Sequence, residues 1–336
     1  MWEQSRVHFA FLLIDDRLIL VCRFFTIGGI DVIRLDNKKT LSYVLLTLTT
    51  IIWGAGFVFN NMASQANVPA GLMNTLRFGT ATLLLLAIFN KKIVYSKKML
   101  LYGALCGVSL AVAFFLQYYA LNYTTPANNS FFTCFYVAFV PILHWIITKK
   151  APKWLVFLGI ATTIAGLAIL NFGYAPTVEH MPNAWIGNLI TVGCAIFFAV
   201  QIVVTDFALK NDDVDATSLT FWQIAFASVG FVLYTIIFEV GTADFAVIDW
   251  KHGLIALAYL SVLGTGFAYP SQIFSQKHLH PATCSLIMAM EGVLGATFSV
   301  IAKIDTFHWN LLWGGLLVTS SIVIVEVLPY YLKKKK

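Results

Sequence analysis

Long apolar runs alternate with short polar segments from residue 40 to residue 331. A helix needs about 20 apolar residues to cross the hydrocarbon core of a bilayer. Ten runs approach or reach that length, which predicts an all-α polytopic membrane protein with ten transmembrane helices. We number these predicted spans 1 to 10 in chain order: residues 41–62, 70–90, 99–120, 126–148, 153–170, 185–209, 217–239, 252–275, 281–302 and 309–331.

Residues 1–37 precede this pattern and do not share it. Their apolar stretches are short, and the stretch at 18–30 is interrupted by Arg23. A signal peptide needs an uninterrupted apolar core and a small-residue cleavage site, and neither is clear here. Two interpretations stay open: a peripheral N-terminal tail, or the product of a start codon assigned too far upstream. In both cases we expect the tail to be dispensable for insertion and transport.

The composition agrees with a membrane protein. Hydrophobic residues make up 59% of the chain and charged residues 11%, whereas soluble domains carry about 25% charged residues. The mean hydropathy is +0.79. The net charge of +6 does not indicate nucleic-acid binding, because the lysines crowd into short segments between the spans. The 5 cysteines are widely spaced, so no metal site or disulfide framework is predicted.

The basic residues predict the orientation of the chain. With ten spans both termini lie on one side of the membrane. If that side is the cytoplasm, 16 lysines and arginines of the connecting segments lie inside, including the basic tail at 332–336, and only Lys251 and Lys303 lie outside. Cytoplasmic loops carry an excess of Lys and Arg. We therefore expect a multi-pass plasma-membrane protein with both termini cytoplasmic.

Residues 113–159 recur later in the chain. Shifted by 155 positions, they align with residues 268–314 without a gap, and identical pairs include Gln117 with Gln272, Pro126 with Pro281 and Gly159 with Gly314. Such a repeat indicates a duplicated unit. Five spans separate the copies, and because five is odd, the second copy is inverted. Two inverted five-helix repeats, at residues 38–171 and 185–331, are typical of secondary transporters with a substrate site between the halves.

Several short motifs resemble those of a known family. They are Ile-Ile-Trp-Gly at 51–54, Leu-Arg-Phe at 76–78, Ala-Leu-Asn-Tyr-Thr-Thr-Pro-Ala at 120–127, Val-Pro at 140–141, Trp154 with Gly159, and Met290 with Glu291. Together with the inverted repeat, they resemble the EamA group of the drug/metabolite transporter (DMT) superfamily over residues 38–331. The resemblance implies ten helices around a central cavity and the transport of small metabolites. It does not name a substrate.

Two charged residues fall well inside predicted spans. Arg77 lies in span 2, one turn after Asn74, and an intramembrane Arg costs about 2.5–3.5 kcal/mol on insertion scales. It is interpreted either as an anion-binding or gating cation, or as a residue that snorkels or pairs with helix-end carbonyls. Glu291 in span 9 is interpreted either as a proton-coupling carboxylate, since burial penalises the charged form, or as a structural group, for example one paired with Arg77.

Glu291 also belongs to a polar stripe that the repeat duplicates. It shares a helical face with Met288, one turn before it. The repeat equivalents of these two residues are Tyr136 and Thr133 in span 4, and Asn129 lies one turn earlier on the same face. A shared cavity would need such a stripe in both halves. Packing or capping is the alternative role for each residue.

The remaining candidates are amides and aromatic residues. An amide inside a membrane needs a hydrogen-bond partner, which is either a ligand or a neighbouring helix. Gln117 and Gln272 are repeat equivalents, and Tyr269 lies beside the second. We expect a substrate cavity lined by Trp53, Asn74, Arg77, Gln117, Asn129, Thr133, Tyr136, Gln201, Tyr269, Gln272, Met288 and Glu291.

The sequence contains no catalytic or nucleotide-binding motif, so neither an enzyme nor a cofactor is predicted. Uphill transport would then use an ion gradient or exchange. We expect a secondary-active transporter, an exporter of small metabolites such as amino acids, that works by alternating access with protons as the candidate coupling ion. The alternatives are an exporter of drugs or other amphipathic compounds, and a non-transporting intramembrane enzyme or scaffold. Association into a homo-oligomer is left open.

Overall fold

The computed structural model describes residues 8–14, 17–23, 38–120, 122–124, 126–172, 184–304 and 306–328. Within these residues the chain forms a helical bundle that follows one short two-stranded sheet. The helices are α1 (Lys38–Gln65), α2 (Ala70–Phe89), α3 (Lys97–Ala120), α4 (Pro126–Thr133), α5 (Tyr136–Thr148), α6 (Trp154–Phe172), α7 (Ala184–Leu209), α8 (Ala216–Tyr234), α9 (Trp250–Ala258), α10 (Ala268–His278), α11 (Pro281–Met288), α12 (Met290–Ile301) and α13 (Trp309–Ile322).

The sheet lies in the N-terminal segment, for which the sequence leaves open a peripheral tail or the product of a start codon assigned too far upstream. β1 (His8–Ile14) pairs antiparallel with β2 (Arg17–Arg23). Both strands are rich in Phe, Leu, Ile and Val, which favour extended backbone. Each has 7 residues, fewer than the roughly 9–11 that a membrane-crossing strand needs. The two strands therefore add no membrane span to the bundle.

The described helices have the lengths that a membrane protein requires. Eight helical segments are long and apolar enough to cross a bilayer, and two shorter apolar helices, Trp154–Leu170 and Trp309–Val325, coincide with predicted spans 5 and 10. The all-α polytopic architecture predicted from the apolar runs is confirmed. The count of ten spans stays a prediction, because eight of the described helical segments meet the length and composition of a full crossing.

Two predicted spans are interrupted in the middle. Span 4 forms α4 and α5, separated by Cys134 and Phe135, and span 9 forms α11 and α12, separated by Ala289. Positions 134 and 289 are repeat equivalents. Just before the first break, the Thr133 hydroxyl donates to the carbonyl oxygen of Asn129 at 2.8 Å, and such back-bonding by Thr bends helices. Both copies of the duplicated unit are thus interrupted at equivalent positions.

The two breaks lie against each other. Sγ of Cys134 lies 4.0 Å from the carbonyl oxygen of its own repeat equivalent, Ala289. Tyr136 Oη donates to Oε1 of its equivalent, Glu291, at 3.1 Å. Residues related by a twofold operation touch each other only near the axis. The approximate twofold axis that relates the halves therefore passes through the crossing of predicted spans 4 and 9.

The packing of α6 on α13 obeys the same axis. Gly166 lies against Gly314, and Gly159 lies against Ser321. Because Gly159 is equivalent to Gly314 and Gly166 to Ser321, the twofold operation exchanges the two contacts. A Cβ on Gly314 would lie 2.5 Å from the carbonyl oxygen of Gly166, so no larger residue fits there. The two helices run antiparallel, as an inverted repeat requires.

Another close approach joins α3 to α8. Gly103 and Gly107 have the spacing typical of tightly packed membrane helices. A Cβ on Gly107 would lie 2.6 Å from the carbonyl oxygen of Gln223 and 2.6 Å from Cβ of Phe226. The absence of a side chain at this position therefore sets the distance between α3 and α8, which both border the centre of the bundle.

Candidate functional site

A cavity of about 90 Å³ lies in the centre of the bundle, beside the two helix breaks. Its walls come from seven of the predicted spans. The structure brings together ten of the twelve predicted site residues as its lining: Trp53, Arg77, Gln117, Thr133, Tyr136, Gln201, Tyr269, Gln272, Met288 and Glu291.

Arg77 reaches the cavity from α2 and is only 4% exposed. Its guanidinium is held by the π-helical segment Tyr259–Phe267, which connects α9 to α10. Nε donates to the Thr265 hydroxyl at 2.7 Å, and Nη2 donates to the carbonyl oxygen of Gly264 at 3.3 Å. The wider hydrogen-bonding pattern of π-helical turns leaves backbone groups for other partners, and such turns recur at functional sites.

All the partners of Arg77 are neutral. Besides Thr265 and Gly264, the guanidinium lies 5.4 Å from the ring centroids of both Phe78 and Phe114, a favourable cation–π arrangement. Among the described residues, no carboxylate forms an ion pair with it. A buried cation without a counter-ion is costly in a membrane protein. The cavity is therefore suited to a ligand that brings a negative charge.

Glu291, one partner of the twofold contact, lies in the first turn of α12. The N-terminus of a helix favours a negative charge. Its Oε1 accepts the hydrogen bond from Tyr136, and the described residues supply no other hydrogen bond to this carboxylate. The pairing of Glu291 with Arg77, one of the interpretations of the sequence, is not observed. The cavity thus holds one cation and one carboxylate that do not neutralise each other.

Trp53 and Tyr269 form part of the aromatic wall, with ring centroids 5.4 Å apart. Trp53 Nε1 donates to the carbonyl oxygen of Gly264 at 2.9 Å, the same oxygen that Arg77 approaches. Trp53 therefore both packs α1 against the π-helical segment and lines the cavity. Phe114 and Phe198 also line it, but sequence reasoning missed them because phenylalanine is common in nearly every span.

Three glutamines form a buried chain beside the cavity. Nε2 of Gln201 donates to Oε1 of Gln223 at 3.1 Å, and Nε2 of Gln272 donates to Oε1 of Gln201 at 3.4 Å. The side-chain oxygen of Gln272 has no hydrogen-bond partner within the described structure. Since buried polar atoms are normally satisfied, this oxygen is a candidate acceptor for a ligand N–H. Gln223 was not predicted; its polarity inside span 7 was the available signal.

Asn74 and Asn129 do not line this cavity, unlike the other ten expected residues. Nδ2 of Asn74 donates to the carbonyl oxygen of Ala70 in its own helix at 3.1 Å. Nδ2 of Asn129 donates to the carbonyl oxygen of Gln117 at 2.8 Å and to the Thr191 hydroxyl at 3.2 Å. The amide of Asn129 thus joins α4 to α3 and α7, the helix-bonding alternative that amides allow.

The cavity is closed towards one end of the bundle, where α5 ends and α6 begins. We call it the lysine-rich end, after Lys149, Lys150 and Lys153. One buried apolar cluster lies on that side of the cavity and includes Leu46, Val140, Val203 and Ile287. Each lies nearer to the lysine-rich end than the cavity-lining residue of its own span.

A polar group covers this cluster. Asp206 Oδ2 lies 2.5 Å from Lys210 Nζ and 3.4 Å from His144 Nε2, so it links α7 to α5. Asp206 is only 6% exposed, and a partly buried ion pair is screened less than a surface pair. The lysine-rich end is thus closed by an apolar layer and by a polar contact between α7 and α5.

Comparisons with known proteins agree with this architecture. The model of the EamA-like transporter family matches residues 40–172 and again residues 185–327. An uncharacterized transporter of Archaeoglobus fulgidus is 26% identical over 294 residues, covering 86% of this chain and 87% of that protein. A biotin transporter of Escherichia coli K12 is 20% identical over 280 residues, covering 83% of this chain and 91% of that protein.

A solved crystal structure has the same fold. It superposes with a TM-score of 0.73 at 16% identity, covering 87% of this chain and 99% of that one, and at this identity the likeness concerns the fold alone. The family match, by contrast, covers most of the bundle, including both repeats. The chain therefore belongs to the EamA-like transporter family, within the DMT superfamily, and is a multi-pass membrane transporter of small molecules.

Proposed function

We propose that this protein is a secondary-active exporter of small metabolites that carry a carboxylate, amino acids above all. One observation carries the proposal: Arg77 is buried in the cavity wall with only neutral partners. A substrate carboxylate would supply the missing counter-ion. Charge-assisted hydrogen bonds to a guanidinium are among the strongest in proteins, and Arg can bind a carboxylate through two of them.

The opposite charge of an amino acid has its own candidate partners. Glu291 accepts only the hydrogen bond from Tyr136, and the side-chain oxygen of Gln272 is unpaired. Both are acceptors and so suit the N–H donors of an ammonium group. Between these groups and Arg77, the wall is aromatic, with Trp53 and Phe114 among the lining residues. An amino acid with an apolar side chain could make all three kinds of contact: its carboxylate with Arg77, its ammonium group with the acceptor oxygens and its side chain with the aromatic wall.

The cavity is small in this arrangement, so a substrate of any class, an amino acid included, requires it to widen. Its volume of about 90 Å³ is well below the roughly 300–1,000 Å³ of pockets that bind drug-sized molecules. Biotin is a second candidate, because the relatives in Escherichia coli and Salmonella are named biotin transporters. Biotin has a carboxylate but no ammonium group, so it would use Arg77 and have no need of the charge of Glu291.

We infer the transport cycle from the twofold axis. The units at 38–171 and 185–331 would rock about the crossing of spans 4 and 9, exposing the cavity to one side at a time. Opening the lysine-rich end would separate the apolar cluster and break the Asp206 link. Protons would drive net export, with Glu291 as the proton carrier. In this proposal both termini are cytoplasmic, and the protein lies in the plasma membrane.

Ligand binding to the purified protein tests the proposed substrate class. Leucine is compared with 3-methylbutylamine, which lacks the carboxylate, and with 4-methylpentanoate, which lacks the ammonium group. We expect leucine to bind the wild type at least tenfold more tightly than either analogue. Arg77→Gln should bind leucine and 3-methylbutylamine equally well. Lys91→Gln, which removes an exposed charge, is the control. Equal binding of the amine and leucine would contradict the role of Arg77.

The same assay separates the two candidate substrates. Biotin binding that exceeds leucine binding, and that survives Glu291→Gln, would favour biotin. Leucine binding that weakens in Glu291→Gln would favour amino acids, since the neutral amide cannot offset an ammonium charge. Binding of neither ligand, by protein that remains folded, would refute the carboxylate proposal.

A further inference from the structure

A second cavity, of about 510 Å³, lies at the lysine-rich end. Among the described residues, none lines both this cavity and the central one. We call it the basic vestibule, because six basic side chains line it: Lys39, His144, Lys150, Lys153, His278 and His280. The transport cycle proposed above gives these residues no common role.

The backbone brings these groups together. α5 ends at Thr148, and Lys149 adopts the left-handed conformation with a φ of 56°, which turns the chain towards α6. This turn places Lys150 and Lys153 just before the first residue of α6. On the other side, His280 caps α11, with Nδ1 accepting from the backbone N–H of Ala282 at 3.2 Å. The vestibule is thus bordered by two helix N-termini, which carry partial positive charge and favour anions.

Little negative charge balances the vestibule. No carboxylate lines it among the described side chains, and the ion pairs of the described residues include neither Lys150 nor Lys153. Asp206, which lies 3.4 Å from His144 Nε2, is itself paired with Lys210. The positive-inside bias accounts for many lysines at this end. It does not account for six basic groups that converge on one cavity from four separate segments.

The other walls of the vestibule are apolar. Leu155, Val156 and Val325 line it beside the basic groups. Trp154, the first residue of α6, is 64% exposed on the outer surface of the bundle. Since tryptophan is enriched where membrane and water meet, it indicates that the vestibule lies at the depth of the lipid headgroups. A soluble anion would need the basic groups, but only an amphiphile would need the apolar wall as well.

We propose that the basic vestibule binds the phosphate of an anionic phospholipid headgroup, with an acyl chain along the apolar wall of α6. Basic pockets between membrane helices on the cytoplasmic side are a recurring form of site for such lipids. The bound lipid would contact α5, α6 and α11 together. It would therefore hold the lysine-rich end of the two halves in one arrangement, close to the link between His144 and Asp206.

Native mass spectrometry of the purified full chain, titrated with phosphatidylglycerol or phosphatidylcholine, tests this site. The double variant Lys150→Gln/Lys153→Gln removes two vestibule charges. The control, Lys91→Gln/Lys92→Gln, removes two exposed charges from the segment after α2 that do not line the vestibule. All four lysines are exposed, so both variants should fold, and size-exclusion profiles verify this. Lys150→Arg/Lys153→Arg restores the charge.

We expect phosphatidylglycerol to bind the wild type on the order of tenfold more tightly than the vestibule variant. The control should change binding less than twofold, and the arginine variant should restore it. Equal losses in the vestibule variant and the control would reduce the effect to general surface charge and overturn the proposal. Equal binding of the two lipids would also overturn it, as would displacement of phosphatidylglycerol by millimolar inorganic phosphate, which would indicate a soluble anion.

Discussion

Replacing Glu291 by Gln separates its role in coupling from its role in structure. Gln keeps the size of the side chain and an oxygen that can accept the Tyr136 hydrogen bond, now 3.1 Å long. A hydrogen bond to a charged group contributes about 1.5–3 kcal/mol, and one between neutral groups about 0.5–1.5 kcal/mol. The variant thus loses about 1 kcal/mol from this bond, and it regains part of that because no charge is buried. We expect it to fold and reach the membrane.

The effect on transport should be much larger. If Glu291 carries one proton per substrate, a gradient of one pH unit supplies about 1.4 kcal/mol, enough for roughly tenfold accumulation. Glu291→Gln cannot take up or release a proton, so accumulation should fall to the ratio without a gradient. Exchange of substrate across the membrane should persist at saturating substrate, because Arg77 and the twofold contact remain even though the substrate ammonium loses its charged partner. Proteoliposomes with and without a pH gradient measure both quantities.

Tyr136→Phe provides the matched control. It removes the hydrogen bond between the repeat equivalents but leaves the carboxylate of Glu291, so it should keep gradient-driven accumulation. Full accumulation by Glu291→Gln would exclude Glu291 as the proton carrier. Loss of all exchange in folded Glu291→Gln, even at saturating substrate, would assign Glu291 a structural role instead of a coupling role.

Three other predictions follow from the packing and the loops. Gly107→Ala should destabilise the protein by about 1–3 kcal/mol through overpacking, which a lower melting temperature would show. Gly241→Ala is the control, because open space surrounds Gly241 and its melting temperature should not fall. Equal melting temperatures of the two variants would contradict the prediction. The hydrogen bond from His252 lowers the pKa of Asp249, so the ionised Asp249 cap should stabilise α9 fully above the ordinary Asp pKa and lose this effect as pH falls through the lowered pKa. Amide protection of the first turn of α9 that stays constant over this pH range would refute it. A cysteine introduced at Lys303 should react with an impermeant thiol reagent in intact cells, and protection there would reverse the proposed orientation.

Much of the fold follows from two sequence patterns. Apolar run length predicts the helices, and the 155-residue spacing predicts that Tyr136 and Glu291 occupy equivalent places. The spacing alone does not show that these two residues touch, because it does not locate the twofold axis. The break at Ala289 was also missed, since neither glycine nor proline marks it. The spacing of apolar residues shows which face of a helix is buried, but an interruption of one residue does not change that spacing.

The site shows the same limit at the level of single side chains. Arg77 was recognised as a candidate site residue because a charge inside a membrane span is costly and needs a partner or a function. Its partner Thr265 lies 188 residues away, and nothing in its local sequence distinguishes it from the other threonines of the spans. Asn129 was expected in the lining because it shares a face with Thr133. Its amide instead reaches the carbonyl of Gln117, a contact that depends on how α3 and α4 pack.

Counterflow in proteoliposomes tests the central claim most directly, namely that this chain is an alternating-access carrier for small carboxylate-bearing metabolites. Vesicles that contain the purified protein are loaded with unlabelled leucine and diluted into a trace of labelled leucine. The account predicts a saturable, transient accumulation of label in the wild type that Arg77→Gln abolishes. Label that enters no faster than in protein-free vesicles, or that accumulates equally in folded Arg77→Gln, would contradict it.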